Sequence, residues 1–335
     1  MNTNYLKTLL SEYEQKRALA ISISNQKKLD IYSKIPEIEK IDNDISSISI
    51  KTIRAVLTSP NKKAVDDLQN SICKLKEKRT AILKKNGINS NDLEPVFECK
   101  KCNDSGYIKT SSGNELCPCI KQKIYDLEYN DSNIYDLENQ NFEKFDLKCY
   151  SDSINEEKYK MKISPRSNME SIKKLAHNFI DNFDDSSENN LLFCGNSGLG
   201  KTYLSSCIAN ELIKNGKTVL YQTAPLMLDA IIDYKFGKSC NDISKAIYSA
   251  DLLIIDDLGT ETKNNLKLTE LFNIINSRLL NQNNKITKTI ISTNLSLQDM
   301  YNTYEERIVS RIIGNYNACY FFGDDIRIKK KLTTK

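Results

Sequence analysis

The residues from Leu191 to Ser206, LLFCGNSGLGKTYLSS, constrain the fold of this 335-residue chain more than any other stretch. An apolar run enters a glycine-rich loop that fits the pattern G-x-x-x-x-G-K-[ST], and a helical pattern follows. Glycines let such a loop turn so that its backbone N–H groups point inward and hold phosphate oxygens. The segment therefore predicts a strand, a phosphate-binding loop and a helix, with a plain glycine-rich turn as the alternative interpretation.

If the loop binds a triphosphate, its residues are expected to have different roles in holding the phosphates and the metal ion. Lys201 is expected to reach the β- and γ-phosphates, and Thr202 is expected to bind the accompanying Mg²⁺ ion. The positive end of the following helix adds to the attraction for phosphate. The residues predicted to bind the nucleotide here are Gly195, Asn196, Ser197, Gly198, Leu199, Gly200, Lys201 and Thr202.

A triphosphate site also needs an acidic residue at the end of a buried strand. Residues 250–259 read ADLLIIDDLG, and the apolar run from Leu252 to Ile255 is typical of a parallel strand. Asp256, at its carboxyl end, is the candidate Mg²⁺ ligand. Asp257 is a candidate for orienting or deprotonating the attacking water, and its short side chain fits slow hydrolysis. The alternative is that the two aspartates only cap the end of the strand and have no catalytic role.

Another polar strand end follows, in the segment TKTIISTN from Thr287 to Asn294. Asn294 is a candidate sensor that hydrogen-bonds the γ-phosphate or the water, although Ser-Thr-Asn is also ordinary turn chemistry. Strands are expected near residues 191–194, 218–222, 252–255, 289–292 and 318–322. Their alternation with helices predicts an α/β fold with a mostly parallel five-stranded sheet, helices on both faces, and the triphosphate at the strand carboxyl ends.

Composition describes a globular protein, with 39% hydrophobic and 27% charged residues. No apolar run approaches about 18 residues, and the N-terminus lacks the apolar region of a signal peptide. We therefore expect no membrane span and a cytoplasmic location. The net charge of +4 permits contact with nucleic acid but does not argue for it.

Four of the ten cysteines are clustered on either side of a loop that contains Gly106 and Gly113. Paired thiolates that a turn brings together suit a tetrahedral Zn²⁺ ion. The second pair has the spacing C-x-C, tighter than the usual C-x-x-C, and reduced thiols or a redox pair are the alternative. The predicted zinc ligands are Cys99, Cys102, Cys117 and Cys119.

The order of these patterns predicts four segments. Residues 1–95 have apolar residues at helical spacing, with breaks at Pro36 and Pro60, and form a helical domain that packs as a small bundle or docks a partner. Residues 96–122 form the Cys module. Residues 123–165 form a polar linker, in which Phe142 and Phe145 are candidates for anchoring to the last segment, the ATPase domain of residues 166–335.

Four motifs in a fixed order, GNSGLGKT, LLIIDDLG, TIISTN and ERIVSRI, resemble the AAA+ ATPases of the bacterial helicase-loader type. This is the DnaC/DnaI group, with the IstB transposition ATPases as close relatives. The resemblance covers roughly residues 140 to 335, and the helical and Cys-rich front is similar in layout to loaders whose zinc-containing domain binds the helicase. It implies an AAA+ P-loop core that uses ATP, Mg²⁺ and Zn²⁺, binds a DnaB-type replicative helicase and single-stranded DNA, and self-associates through the ATPase domain.

The resemblance also assigns roles to three arginines. In this group, a helix after the sensor strand presents an arginine to the nucleotide of a neighbouring subunit, and Arg311 matches that finger, with Arg307 one turn before it. Two solvated arginines on an amphipathic helix are the alternative. Arg327 is a candidate second sensor, although AAA+ proteins usually carry that residue in a helical lid. Because the sequence ends at Lys335, no full lid domain is expected. The basic residues from Lys329 to Lys331 are either solvated or phosphate contacts.

Residues 224–250 form an insertion in which Tyr234 and Phe236 interleave with Lys235 and Lys238. This pattern suits stacking on single-stranded bases while the lysines neutralise phosphates. In the loader group, the matching region contributes to single-stranded DNA binding. Aromatic residues packed in the core beside solvated lysines are the alternative.

Three functions are consistent with these patterns. The first is ATP-dependent loading of the hexameric replicative helicase onto single-stranded DNA during replication initiation or restart. The second is an IstB-like transposition helper ATPase that binds DNA and recruits a transposase. The third is a non-enzymatic adaptor whose fold ATP stabilises.

Overall fold

The computed structural model describes residues 3–58, 62–110, 113–129, 140–240, 242–262, 264–280 and 286–333. The chain divides into two compact units, one of residues 7–115 and one of residues 116–335 with the first six residues. The predicted break at Pro60 and the side chains of Lys329 and Lys330 lie outside the described part. In the described ranges, every helix is too short or too polar to cross a bilayer.

The N-terminal region is helical, as predicted, with α1 (Thr3–Lys34), α2 (Pro36–Thr58) and α3 (Lys62–Lys85). Helix α2 starts on Pro36, where the missing N–H costs no hydrogen bond. Ile38 of α2 and Leu83 of α3 are buried together with Leu93. Asp42 and Arg79 join the two helices by an ion pair of 2.6 Å between Oδ1 and Nε.

The second unit contains a five-stranded sheet in the order β4-β5-β6-β3-β7, and every neighbouring pair is parallel. This confirms the predicted α/β class and sheet. The strands are β3 (Asn190–Gly195), β4 (Val219–Thr223), β5 (Leu252–Leu258), β6 (Lys288–Thr293) and β7 (Tyr316–Phe321), after a separate hairpin of β1 (Tyr107–Thr110) and β2 (Gly113–Leu116).

Helices cover both faces of this sheet, which is why its strands are apolar on both sides. The α-helices described in this part of the chain, whether or not they lie on a face of the sheet, are α4 (Pro118–Glu128), α5 (Glu156–Tyr159), α6 (Pro165–Asp181), α7 (Lys201–Lys214), α8 (Ala224–Lys235), α9 (Ser244–Ser249), α10 (Asn265–Leu279), α11 (Leu297–Thr303), α12 (Glu306–Asn315) and α13 (Ile326–Thr333). Leu192 of β3 joins a core with α8, α9, α10 and α12, whereas Leu191 and Phe193 join a second core with α6 and α7.

Helix α4 covers the outer edge of β4. The side-chain amide of Gln122 accepts a hydrogen bond from Val219 N at 2.6 Å and donates one to Val219 O at 3.0 Å, as a neighbouring strand would. This helix runs through residue 122, where the Cys module was predicted to meet the linker. The predicted boundaries at residues 95, 122 and 165 stay a proposal.

Part of the predicted linker packs on the ATPase core. Phe145 and Tyr150 are buried beside α6 and α7, and Phe142 packs against the same core at its margin. Both phenylalanines therefore anchor the segment, as expected. The carboxyl ends of the parallel strands meet at one edge of the sheet, and the predicted phosphate-binding loop lies there.

Candidate nucleotide-binding site

The loop from Asn196 to Gly200 connects β3 directly to α7, in the strand–loop–helix order that the motif predicts. Gly195 and Gly198 have φ angles of 141° and 77°. A Cβ atom at Gly195 would lie 2.1 Å from the carbonyl oxygen of Phe321, and one at Gly198 would lie 2.0 Å from the carboxyl carbon of Asp325. Only glycine fits these two positions, and the backbone therefore takes the curvature that a phosphate-binding loop needs.

The ammonium group of Lys201 lies at the base of this loop and is almost fully buried. It donates hydrogen bonds to Gly195 O at 2.6 Å, to Asn196 O at 2.9 Å and to Asn294 Oδ1 at 2.7 Å. Burial lowers the pKa of Lys201, while the negative charge of Asp257 opposes that shift. The structure thus brings the predicted lysine and the predicted sensor asparagine into direct contact.

The carboxylate of Asp256 is 3% exposed and accepts four hydrogen bonds. Thr202 Oγ1 donates to Oδ2 at 3.0 Å, and the Tyr221 hydroxyl donates to the same oxygen. Ser292 Oγ and the backbone N–H of Asp257 donate to Oδ1. Thr202 and Asp256, the two residues predicted to hold Mg²⁺, are therefore neighbours, and their oxygen donors suit that hard cation.

Tyr221 and Ser292 are site residues that the sequence patterns did not select. Burial and the charge of Asp256 both raise the pKa of Tyr221, so its hydroxyl stays a donor. A tyrosine within a buried strand was the available signal, because a buried hydroxyl needs a partner. Ser292 lies within the motif TIISTN, where its polarity was attributed to turn chemistry.

Asp257 occupies a bulge in β5. Ile255 pairs with Ile291 and Leu258 pairs with Thr293, so β5 has one more residue than β6 between these two pairs. Asp257 has a φ angle of 55°, in the left-handed region that non-glycine residues seldom adopt. Its side chain lines the cavity beside the loop, where burial, followed by the charge of Asp256, raises its pKa.

That cavity has a volume of about 420 Å³ and lies between the loop and residues 140–150. Phe145, Cys149, Tyr150 and Tyr203 line it. The Tyr150 hydroxyl donates to Leu199 O at 2.9 Å, and the ring of Phe145 lies 6.3 Å from that of Tyr150. The aromatic side chains of this wall offer stacking area for a planar base, whereas sequence patterns had given Phe145 an anchoring role and the two tyrosines no role.

Arg327 lines the same cavity. Ile326 N donates to Gly198 O at 2.9 Å and fixes the start of α13 against the loop. The Arg327 side chain is 71% exposed, and its Nε lies 3.7 Å from Asp325 Oδ1. Its position at the cavity suits the predicted second sensor, and Lys331, further along α13, is exposed.

A family model described as IstB-like ATP binding protein matches residues 146–333, more than half of the chain. The chain belongs to this family. Similar curated proteins include the replicative helicase loader DnaC of Escherichia coli (strain K12), 28% identical over 155 residues. Another is a putative insertion sequence ATP-binding protein, y4pL, of Sinorhizobium fredii (strain NBRC 101917 / NGR234), 25% identical over 161 residues.

These two matches cover 45% and 47% of this chain and 61% and 62% of the relatives, so the chain spans about three-fifths of their length. Among solved structures, that of the DnaC helicase loader matches with a TM-score of 0.43 and 20% identity, over 56% of this chain and 99% of that one. AMPPCP-bound DnaA from Aquifex aeolicus matches with a TM-score of 0.44 and 22% identity, over 58% and 55%. The predicted resemblance to the loader group and its IstB relatives is confirmed.

In this IstB-like chain, Arg307 and Arg311 lie away from the cavity. Both are on α12 and face Phe272 of α10, with guanidinium carbons 4.4 Å and 4.7 Å from the ring centroid. Among the described residues that line the cavity, neither arginine is found. A single copy of the chain therefore does not bring them to its own phosphate-binding loop.

The insertion of the IstB-like domain exposes its aromatic residues. Tyr234 is 40% exposed and Phe236 is 63% exposed, so they do not pack in the core. The lysines beside them have acidic partners: Lys235 Nζ lies 2.6 Å from a carboxylate oxygen of Glu270, and Lys238 pairs with Asp233. The rings are available for stacking, while the positive charge around them is partly neutralised.

The four clustered cysteines place their sulfur atoms within 4.8 Å of one another, and two of the four are buried. The turn after Cys102 is held by Asp104, whose carboxylate accepts hydrogen bonds from the backbone N–H groups of Glu98 at 2.9 Å and Cys99 at 2.8 Å. Four thiolates at this separation fit a structural Zn²⁺ ion, so the C-x-C spacing is no obstacle.

Replacement of Tyr221 by phenylalanine tests whether its hydroxyl orients Asp256. We expect the affinity for Mg²⁺-ATP to fall about tenfold, because a hydrogen bond to a charged group is lost, while Mg²⁺-free ATP binds as before. Titration of a fluorescent ATP analogue with and without Mg²⁺ measures both affinities. Tyr320→Phe, on the exposed side of β7, is the control. Equal losses with and without Mg²⁺ would contradict the assignment.

Elemental analysis tests the cysteine cluster. Protein purified without chelator is expected to contain one Zn²⁺ per chain, and Cys119→Ser is expected to lower that content, because one thiolate ligand is lost. Cys240→Ser, which changes an exposed cysteine outside the cluster, serves as the control. Absence of zinc from the unaltered protein would rule the site out.

Proposed function

We propose that this chain is an ATP-dependent loader of a hexameric, DnaB-type replicative helicase onto single-stranded DNA during replication initiation or restart. The observation that carries the proposal is the contact between Thr202 and Asp256 beside the buried Lys201, in a chain of the IstB-like family. A relative named as a replicative helicase loader supports helicase loading as the function. The cytoplasm is the compartment proposed for it.

ATP hydrolysis is the chemical part of the proposal. Lys201 binds the β- and γ-phosphates, and Thr202 with Asp256 holds the Mg²⁺ ion that offsets their charge. Asp257 serves as the base for the attacking water, because its carboxylate follows the metal-binding Asp256 and lines the cavity beside the loop. Asn294, whose Oδ1 accepts a hydrogen bond from Lys201, would contact the γ-phosphate that Lys201 binds.

The helical N-terminal region is the proposed binding site for the helicase. Along α2, Ile50 and Ile53 are 53% and 61% exposed, and Leu19 and Leu29 of α1 are exposed as well. Exposed apolar side chains on helices are typical of surfaces that bind another protein. Single-stranded DNA would bind the ATPase domain, where the ring of Phe236 is exposed for stacking on a base.

The IstB-like transposition helper is the second candidate, and the insertion-sequence relative favours it. It is expected to bind duplex DNA and to lack a Cys-rich module. The cluster of Cys99, Cys102, Cys117 and Cys119 therefore supports the loader. A non-enzymatic adaptor is the third candidate. Many related ATPases carry a glutamate at the position of Asp257, and the shorter side chain of aspartate is less suited to reach the attacking water.

The decisive experiment mixes the purified chain with the DnaB-type helicase of the same organism. With ATP, we expect the two proteins to co-migrate in gel filtration and unwinding of a forked DNA to rise. Lys201→Ala and Asp256→Ala are expected to lower ATP turnover at least about tenfold, because phosphate and metal contacts are lost. Lys214→Ala, on the exposed side of α7, is the matched control.

Two outcomes separate the loader from the transposition helper, and a third tests the assigned catalytic site. Failure to co-migrate, together with no gain in unwinding, would refute the loader. Preference for duplex DNA and stimulation of a transposase would favour the helper. Turnover that survives both Lys201→Ala and Asp256→Ala would show that the catalyst lies elsewhere.

A further inference from the structure

Arg307 and Arg311 share one aromatic ring but differ in their other partners. Arg307 Nε lies 2.6 Å from Glu305 Oε2, which neutralises part of its charge. Arg311 Nε instead donates to Asn276 Oδ1 at 2.8 Å, and one of its Nη1 hydrogens goes to the carbonyl oxygen of Arg307 at 3.0 Å. The ring of Phe272 lies against both guanidinium groups.

Within the described ranges, every partner of Arg311 is therefore uncharged: a phenyl ring, a side-chain amide oxygen and a backbone carbonyl. Such partners fix the plane of the guanidinium and leave its full positive charge in place. A carboxylate in the same position would hold the group equally well and cancel that charge. Because Arg307 pairs with a carboxylate and Arg311 does not, Arg311 is the arginine whose charge is available to bind an anion.

The partners themselves are firmly held. Phe272 and Asn276 are on α10, whose Leu271 and Ile275 are buried in the core between the helices and the sheet. A long side chain that is already held in one conformation loses less entropy when it binds a ligand. The face formed by α10 and α12 thus presents a pre-oriented cation that its own chain's cavity does not use.

We propose that Phe272 and Asn276 are positioning residues that hold Arg311 for the triphosphate bound to a second copy of this chain. The inference rests on the proposed ATPase function and names the partner of that site. The triphosphate fits because it is a compact polyanion, and its transition state gains charge on the oxygens that a planar guanidinium binds. A second copy fits because Arg311 lies outside the cavity of its own chain.

The test is Asn276→Asp, which keeps the side-chain shape and places a carboxylate against Arg311. We expect ATP hydrolysis to fall at least about tenfold, since removal of such an arginine slows related reactions ~10³-fold or more. Affinity for a fluorescent ATP analogue should stay within about twofold and the melting temperature should not change, because the cavity is untouched. Asn273→Asp adds the same charge to the exposed side of α10 and is expected to hydrolyse ATP normally.

Mixtures of variants separate positioning from a merely structural role. Arg311→Ala keeps an intact cavity and Lys201→Ala keeps an intact arginine, so mixing them should restore hydrolysis. Asn276→Asp mixed with Lys201→Ala should also recover. The double variant Asn276→Asp, Lys201→Ala should not rescue Arg311→Ala, because its arginine is neutralised in place.

Each failure has its own meaning. No recovery in the first mixture would refute the action of Arg311 on a second copy, and with it the inference, while the proposed ATPase and loader function would stand. Suppose instead that the first mixture recovers and that Asn276→Asp hydrolyses ATP as fast as Asn273→Asp. That result would overturn the positioning role of Asn276 and leave the action of Arg311 on a second copy in place. Normal hydrolysis by Asn276→Asp with loss of single-stranded DNA binding would assign Arg311 to nucleic acid phosphates and would likewise overturn the inference.

Discussion

The buried carboxylate of Asp256 is the constraint on which the nucleotide site depends. A buried charge is tolerated only when hydrogen bonds replace the water that it loses, and the donors here come from three other elements. Thr202 belongs to the helix after the loop, Tyr221 to β4 and Ser292 to β6. The carboxylate is satisfied only if these elements meet in the observed order, so the packing that stabilises the sheet edge also aligns the predicted metal ligands.

Local sequence patterns were enough to predict the features that depend only on residues close together in the sequence. The glycines of the loop, the apolar run before Asp256 and the polar end of the strand at Asn294 each follow from backbone geometry or strand burial. The contacts made by Tyr221 could not be predicted, because they require the register that sets β4 beside β5. The bulge at Asp257 could not be predicted either, because its position depends on how β5 pairs with β6.

Long-range packing also explains two contacts that sequence patterns did not predict, one from the last residue of the predicted Cys module and one from the predicted linker. Gln122 and Tyr150 are separated from their partners by 97 and 49 residues, and nothing in their neighbourhood indicates those partners. Once folded, one covers the edge of the sheet and the other closes the nucleotide cavity. The IstB-like domain thus begins to take its shape upstream of the family match, which starts at residue 146.

The central claim is that Lys201, Thr202 and Asp256 gather a metal-bound triphosphate at the loop after β3. The most direct measurement is a crystal structure determined with Mg²⁺ and a non-hydrolysable ATP analogue. The account predicts phosphate density against the loop N–H groups, Mg²⁺ beside Thr202 and Asp256, and the base against Phe145 and Tyr150. A cavity without nucleotide at saturating ligand, or nucleotide bound at another place on the chain, would contradict it.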